Sequence, residues 1–247
     1  METKEQIVNR LKEKYRKICL LLPVYKYVES KSHTCMVVFL ADLYKAGFEP
    51  HVTFVDNTYL LYSRTLLSEA FIQNHKWGNF DLAMWIDADN FFNFWDFLKL
   101  LYDYDTLRAR GNSVDILSAR YLTRTPSDVQ IVGYVNKGSK EIPQYFPISK
   151  ETKGVAKVDA VGFGFLIMNS EVMLNMYKTY GKRQFAFREF GDKENWNVLG
   201  EDVSWCEKAR ELGYNIFLDN NVEIGHIGGI INSDYKGAEF HNFEIFD

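Results

Sequence analysis

Residues Asp81 to Asn90 read Asp-Leu-Ala-Met-Trp-Ile-Asp-Ala-Asp-Asn, and no other stretch limits the possible folds as much. The apolar run Leu82 to Ile86 predicts a buried strand of an α/β sheet. It delivers two carboxylates, Asp87 and Asp89, at its carboxyl end, where open α/β sheets bind ligands. On an extended chain, residues spaced by two share a face, so both acids are expected to reach toward one point. Converging carboxylates repel unless a cation lies between them, and oxygen ligands favour a hard ion such as Mg²⁺ or Mn²⁺. Such an ion would in turn hold a diphosphate. The competing reading is that Asp87 and Asp89 cap the following helix.

The surrounding chain alternates strand and helix, the signature of a parallel sheet with crossovers. A short amphipathic helix over Glu5 to Tyr15 precedes a first strand, Lys17 to Leu22, stopped by Pro23. A helix over Ser32 to Ala46 ends at Gly47. A second strand covers Glu49 to Val55, and a longer helix Leu60 to His75. Helical character resumes from Phe94 to Tyr104, and Ser113 to Ala119 is another strand. Tyr121 to Gly154, with Pro126, Pro143 and Pro147, reads as an irregular, partly β excursion that walls the site. Val155 to Met168 is extended around Gly162-Phe163-Gly164. Ser170 is the expected cap of a helix to Tyr180, and Phe185 to Asn197 is expected to be loop. Gly200-Glu201-Asp202 opens a helix to Leu212, followed by extended pieces Tyr214 to Leu218 and Val222 to His226. Ile230 to Asp247 reads as an aromatic tail crossing the surface.

Composition narrows the class. The chain of 247 residues is 47% hydrophobic and 16% aromatic, ample for a packed core. A net charge of −4 argues against gripping nucleic acid through a broad basic face. Cys19, Cys35 and Cys206 are far apart and fit a reduced, cytoplasmic chain better than a disulfide framework. The polar N-terminus predicts no secretory signal, and no apolar run reaches the ~20 residues of a membrane span.

Two further features point to ligands. Arg64 falls in the first turns of its helix, where a cation opposes the macrodipole. An anionic ligand would account for it, and so would a solvated surface arginine. Gly162 and Gly164 allow backbone to approach a ligand closely, or mark a bulge.

The ordered set resembles the nucleotide-sugar glycosyltransferases of the GT-A fold, particularly small single-domain forms from phages and large DNA viruses. The set comprises a first strand ending in Pro23, Arg64 before the third strand, Asp87-Ala88-Asp89, Gly162-Phe163-Gly164, Gly200-Glu201-Asp202-Val203, and Gly225-His226-Ile227-Gly228. The resemblance covers Lys17 to Gly228. It implies one α/β domain, GT-A-like (Rossmann-like), with a mixed, mostly parallel central sheet flanked by helices. A nucleotide-binding half over 17–120 would precede an acceptor and catalytic half over 121–229 and a tail over 230–247. It further implies that Pro23, Val24 and Tyr25 cradle the nucleoside, with Tyr25 stacking on the base. Arg64 and Asp87 would serve the diphosphate. Asp87, Asp89 and His226 would hold Mn²⁺ or Mg²⁺. Gly162, Phe163 and Gly164 would line the donor or acceptor cleft. Asp202 would be the base of an inverting transfer from a UDP-sugar, with Glu201 holding sugar or acceptor hydroxyls. The implied acceptor is a glycan or another hydroxyl compound, and for a viral protein the implied compartment is the host cytoplasm.

Two alternatives stand beside this. An apolar strand before Asp-X-Asp also resembles the nucleophile motif of aspartate-dependent phosphatases. A non-catalytic protein of the same fold that binds nucleotide-sugar or glycan is the other. Trp85, Trp95, Trp196 and Trp205 are expected in the core, although each has a face that suits a sugar.

Overall fold

The computed structural model describes residues 2–25, 28, 30–123 and 129–226. Six helices occur among them: α1 (Lys4–Lys14), α2 (Ser30–Ala46), α3 (Leu60–Gly78), α4 (Phe94–Ala109), α5 (Ser170–Tyr180) and α6 (Glu201–Glu211). The early strands are β1 (Lys17–Pro23), β2 (Glu49–Val55), β3 (Leu82–Ile86), β4 (Asn90–Phe91) and β5 (Ile116–Arg120). The excursion holds β6 (Gly133–Asn136) and β7 (Tyr145–Pro147), and is followed by β8 (Val155–Val158), β9 (Ala160–Val161) and β10 (Phe165–Asn169). The last strands are β11 (Arg188–Phe190), β12 (Asn197–Leu199), β13 (Ile216–Glu223) and β14 (Gly225–His226).

The central sheet has seven strands in the order β2-β1-β3-β10-β5-β13-β8. β2, β1 and β3 run parallel, β10 is antiparallel to both β3 and β5, and β13 is parallel to β5 while β8 opposes it. Five strands therefore point one way and two the other, the mixed, mostly parallel sheet expected. β10 belongs to the later part of the chain, yet it lies between β3 and β5 of the earlier part. The halves 17–120 and 121–229 are thus interleaved in space.

Period-two alternation along the strands divides the core. Leu82, Met84 and Ile86 of β3 face a cluster with Ile7, Phe39 and Phe97 of α1, α2 and α4. Ala83 and Trp85 face Leu67, Met173 and Trp205 of α3, α5 and α6. All five residues of β3 are buried, which is why its sequence is continuously apolar instead of alternating.

Helix starts follow capping chemistry. Thr3 and Gln6 form a capping box on α1, as do Asn93 and Asp96 on α4, each worth about 1 kcal/mol. Asn169 caps α5, one residue ahead of the expected Ser170. Gly47 takes φ +86° after α2, a conformation that costs a residue with a Cβ. The expected loop Phe185 to Asn197 contains a two-stranded antiparallel hairpin, β11 with β12. Its strands, three residues each, are too short to stand out by periodicity. Among the described residues, no helix is long and apolar enough to cross a membrane, and Cys19, Cys35 and Cys206 are free thiols.

Candidate functional site at the carboxyl edge of the sheet

β3 ends at Ile86, and the chain turns at once: Asn90 N–H donates to Asp87 O at 3.2 Å. A turn therefore replaces the extended geometry expected from Asp87 to Asp89, and each acid has an ionic partner of its own. Asp87 lies against Arg64, with Oδ1 to Nη2 at 3.5 Å. Asp89 faces His226, with Oδ1 to Nε2 at 3.5 Å. Neither acid caps α4, because Asn93 does.

Arg64 is only 2% exposed, which overturns the solvated-surface reading. Its Nη1 donates to Glu201 Oε1 at 3.0 Å, and its guanidinium lies 5.0 Å from the centroid of the Phe163 ring. Burial works against the charge, but Asp87, Glu201 and Asp202 raise the pKa above its ordinary value. One arginine from α3 thus joins the end of β3 to the start of α6.

α6 begins at Glu201 with Gly200 as its cap residue. Asp202 Oδ1 accepts from Val203 N–H at 2.8 Å. Burial pushes the Asp202 carboxyl upward, Arg64 opposes this, and the charges of Glu201 and Asp87 push it further up.

β13 carries a register shift between Asp219 and Glu223, after which Ile224 N–H donates to Arg120 O at 2.9 Å. That irregularity leads the chain back to the site, where His226 pairs with Asn90 across β14 and β4. His226 Nδ1 lies 2.8 Å from Leu122 O. A carbonyl only accepts, so Nδ1 carries hydrogen and Nε2 is the nitrogen turned to Asp89. Histidine ligands of metals are commonly oriented in this way. Asp89 offers an oxygen donor of the kind that suits Mn²⁺ or Mg²⁺, and His226 a nitrogen donor, which suits a transition ion better than Mg²⁺. Among the described residues, no three His, Cys, Asp or Glu side chains gather as a ready metal cage.

Gly162, Phe163 and Gly164 are buried beneath this edge. Gly164 O accepts from Asp87 N–H at 2.9 Å and Asn90 Nδ2 at 2.7 Å, while Gly164 N–H donates to Tyr121 Oη at 3.0 Å. A Cβ on Gly162 would lie 2.1 Å from Tyr121 Oη, and one on Gly164 would lie 2.6 Å from Asn90 Nδ2. The close approach these glycines permit is therefore to protein, and Phe163 serves as the floor under Arg64. Tyr121 also meets the His226 ring edge-on at 5.5 Å. Burial holds its phenol well above the usual tyrosine range, with the Asp87 charge adding to the effect. No period or motif in the sequence marks Tyr121 or Asn90 as the supports of the site.

Pro23 and Val24 are buried at the end of β1, where Val24 N–H donates to Val55 O at 2.8 Å. Tyr25 is exposed, its ring 6.3 Å from that of Tyr59. Trp85 and Trp205 are core residues, and Trp95 packs against the core partly buried. Trp196 departs from expectation and is exposed. The expected features Pro126, Ile227, Gly228 and the tail over 230–247 lie outside the described residues.

No protein-family model and no curated protein matches the chain. Among solved structures it resembles A197 from STIV, at 14% identity and a TM-score of 0.52, over 86% of this chain and 85% of that one. This is a likeness of fold. Two looser likenesses are to 4-diphosphocytidyl-2C-methyl-D-erythritol synthase from Anaerococcus prevotii (11% identity, TM-score 0.44, 87% and 90% covered) and mannosyl-3-phosphoglycerate synthase from Rubrobacter xylanophilus (11%, 0.36, 80% and 88%). The architecture is the GT-A-like α/β class expected from the order of the motifs.

Proposed function

We propose that this chain is a metal-dependent glycosyltransferase that moves a sugar from a nucleoside diphosphate, with UDP as the preferred nucleoside diphosphate, to an acceptor hydroxyl. The observation that carries the reading is Arg64, buried and bonded at once to the end of β3 through Asp87 and to the start of α6 through Glu201. It supplies a fixed planar cation of the kind that suits phosphate oxygens, beside the acid best placed for proton transfer.

Electrostatics supports the need for a metal. Asp87, Asp89, Glu201 and Asp202 lie at this edge, and the Arg64 guanidinium among them is already paired with Asp87 and Glu201. A diphosphate entering among four carboxylates is repelled unless further positive charge accompanies it. Asp89 and His226 would hold Mn²⁺ or Mg²⁺, with Asp87 on the same turn. Once bound, the ion would neutralise charge on the departing diphosphate.

The chain's own residues supply the rest. Arg64 orients the diphosphate, and Pro23 to Tyr25 at the adjacent strand end offers an exposed ring to the base. The acceptor hydroxyl gives its proton to the Asp202 carboxylate as its oxygen bonds to the anomeric carbon. The bond from that carbon to the diphosphate oxygen breaks, and its electron pair leaves with the diphosphate. This single displacement inverts the anomeric centre. The upward pull on the Asp202 pKa suits a base, since a more basic carboxylate takes the proton more readily.

The test is calorimetric titration of the full chain with UDP, GDP and CDP, with Mn²⁺ and again with chelator. Binding of one nucleotide that disappears with chelator supports the reading and identifies the base. Metal-independent binding removes the metal, and no binding of any nucleotide removes the transferase.

A further inference from the structure

β2 ends the central sheet, and among the described residues it pairs with β1 alone. The pairing runs from Lys17 with Glu49 to Pro23 with Val55 without a register shift. Glu49 N–H donates to Arg16 O, and Val55 O accepts from Val24 N–H, each at 2.8 Å. Main-chain groups alternate in direction along a strand, so Glu49, His51, Thr53 and Val55 turn theirs to β1. Pro50, Val52 and Phe54 turn theirs outward. Pro50 has no N–H, and its carbonyl accepts from the Tyr44 hydroxyl at 3.3 Å. The open edge therefore consists of the main-chain donors and acceptors of Val52 and Phe54.

The flank of that edge is apolar. The His51 and Thr53 side chains reach Asn74 of α3 at 3.1 and 3.4 Å, so Val52 and Phe54 lie on the opposite face, beside α2. α2 ends at Ala46 and β2 begins at Glu49, so the helix runs back along the strand. Tyr44 marks its near end, and Val37, seven residues earlier on the same stripe, lies toward Phe54. Tyr44 is 62% exposed, Val37 and Val38 52% each, Val52 38% and Phe54 63%. Edge strands are ordinarily guarded by lysine, a bulge or a covering segment. β2 has no lysine and no bulge.

We infer that β2 is a dimer interface, in which a second copy of this chain pairs its own β2 antiparallel to this one about a twofold axis at Thr53. Open main-chain groups call for a strand, and the sequence of β2 is complementary to itself. About Thr53, Val52 meets the partner's Phe54 and Phe54 the partner's Val52, two pairs that each exchange both N–H···O bonds. Pro50, which cannot donate, falls opposite Asp56, and Glu49 falls opposite Asn57. No like charges are opposed, and Glu49 is already paired with Arg16 at 2.7 Å. An isologous contact closes on itself, whereas a head-to-tail addition would leave a new open edge. At about 200 Å² for a full ring and about 150 Å² for valine, the five apolar side chains expose about 450 Å² per copy. Paired backbone and the polar rim carry the total for two copies past the roughly 1,000 Å² that a biological interface needs. The two sheets become one, and the carboxyl edges that carry Asp87 face opposite ways.

Sedimentation of the full-length chain at micromolar concentration is expected to show dimer, with Phe54→Lys and Val37→Lys each weakening association at least tenfold. Both residues are exposed, so neither change touches the core. Hydrogen exchange locates the contact. The amides at 52 and 54 should be protected in the dimer and lose that protection on dilution to monomer, while the amide of Thr53, held by β1, stays protected in both. A monomer at every concentration, association unchanged by Phe54→Lys, or a dimer whose amides at 52 and 54 exchange as in the monomer overturns the interface. Growth into species larger than a dimer does so too, because the edge would then polymerise instead of closing.

Discussion

Arg64 and Glu201 lie 137 residues apart in sequence and meet at 3.0 Å in the interior of the site. The guanidinium is nearly sealed from water and also faces Asp87. Removing it strands two acids. Arg64→Ala is expected to cost about 3–5 kcal/mol of stability, the usual penalty for breaking a buried pair from one side. Arg64→Lys keeps the charge but loses the planar fork. It should fold, and should bind the nucleoside diphosphate at least tenfold more weakly. Denaturant melts and calorimetry separate the two effects. Normal affinity in Arg64→Lys would take Arg64 out of the diphosphate site.

Asp89→Ala and His226→Ala should each weaken Mn²⁺-supported nucleotide binding while leaving the fold intact, since both side chains sit at the edge and not in the core. The measurement is the change in nucleotide affinity when Mn²⁺ is added. An undiminished metal effect in both variants would move the ion elsewhere.

Asp202→Asn should leave nucleotide affinity near that of the parent chain and slow transfer by about 10²–10⁴, the usual contribution of a general base. The pH dependence carries a sign. Burial raises the Asp202 pKa, so the basic form is lost as pH falls through that raised value. The acid limb of kcat should therefore lie above the ordinary carboxylate range, and Asp202→Asn should lack it. An unshifted limb, or turnover at the parental rate in Asp202→Asn, would give the role to another group.

Asp219 is buried beside Asp103 and Lys99, and Lys99 forms an ion pair with Asp103. Burial, then the charge of Asp103, holds the Asp219 carboxyl well above its usual range, with Lys99 opposing. A folded-state pKa above the unfolded value contributes stability that is complete at low pH and is lost as pH rises through the folded value. Thermal melts from about pH 5 to about pH 9 should show the parent chain weakening on the alkaline side relative to Asp219→Asn. Parallel curves for the two proteins would mean that Asp219 does not titrate in this interval.

Gly162→Ala places a methyl group 2.1 Å from Tyr121 Oη. Overpacking of this kind costs about 1–3 kcal/mol. Tyr121→Phe removes the offending oxygen and should recover part of that loss. A double-mutant cycle measures the coupling, and strict additivity would deny the contact.

The sheet was legible because β3 is apolar on both faces and its neighbours alternate with helices. The acids and Arg64 were legible because their chemistry is unusual for their positions: two aspartates ending a buried strand, and a cation where a helix dipole disfavours one. Their arrangement was not. Spacing by two assumed an extended chain, but a turn begins at Asp87, and it is held by Gly164, which is remote in sequence. Tyr121 supports the site through contacts with two glycines that no local pattern encodes. The β11–β12 hairpin was hidden because three-residue strands show no period, and Trp196 was assigned to the core on residue type alone.

The placement of β10 also governs how this chain is made. β3 and β5 have been synthesised long before residues 165–169 leave the ribosome, yet β10 is the strand that joins them. Until it arrives, the apolar residues of β3 have β1 on one side and no strand on the other. Closure of the sheet therefore waits on a contact distant in sequence, the kind that slows folding. An N-terminal fragment ending at Arg120 should expose that seam and aggregate instead of folding. The turn at Asp87 and the carboxyl edge around it are complete only after the later half of the polypeptide has placed its strand between β3 and β5.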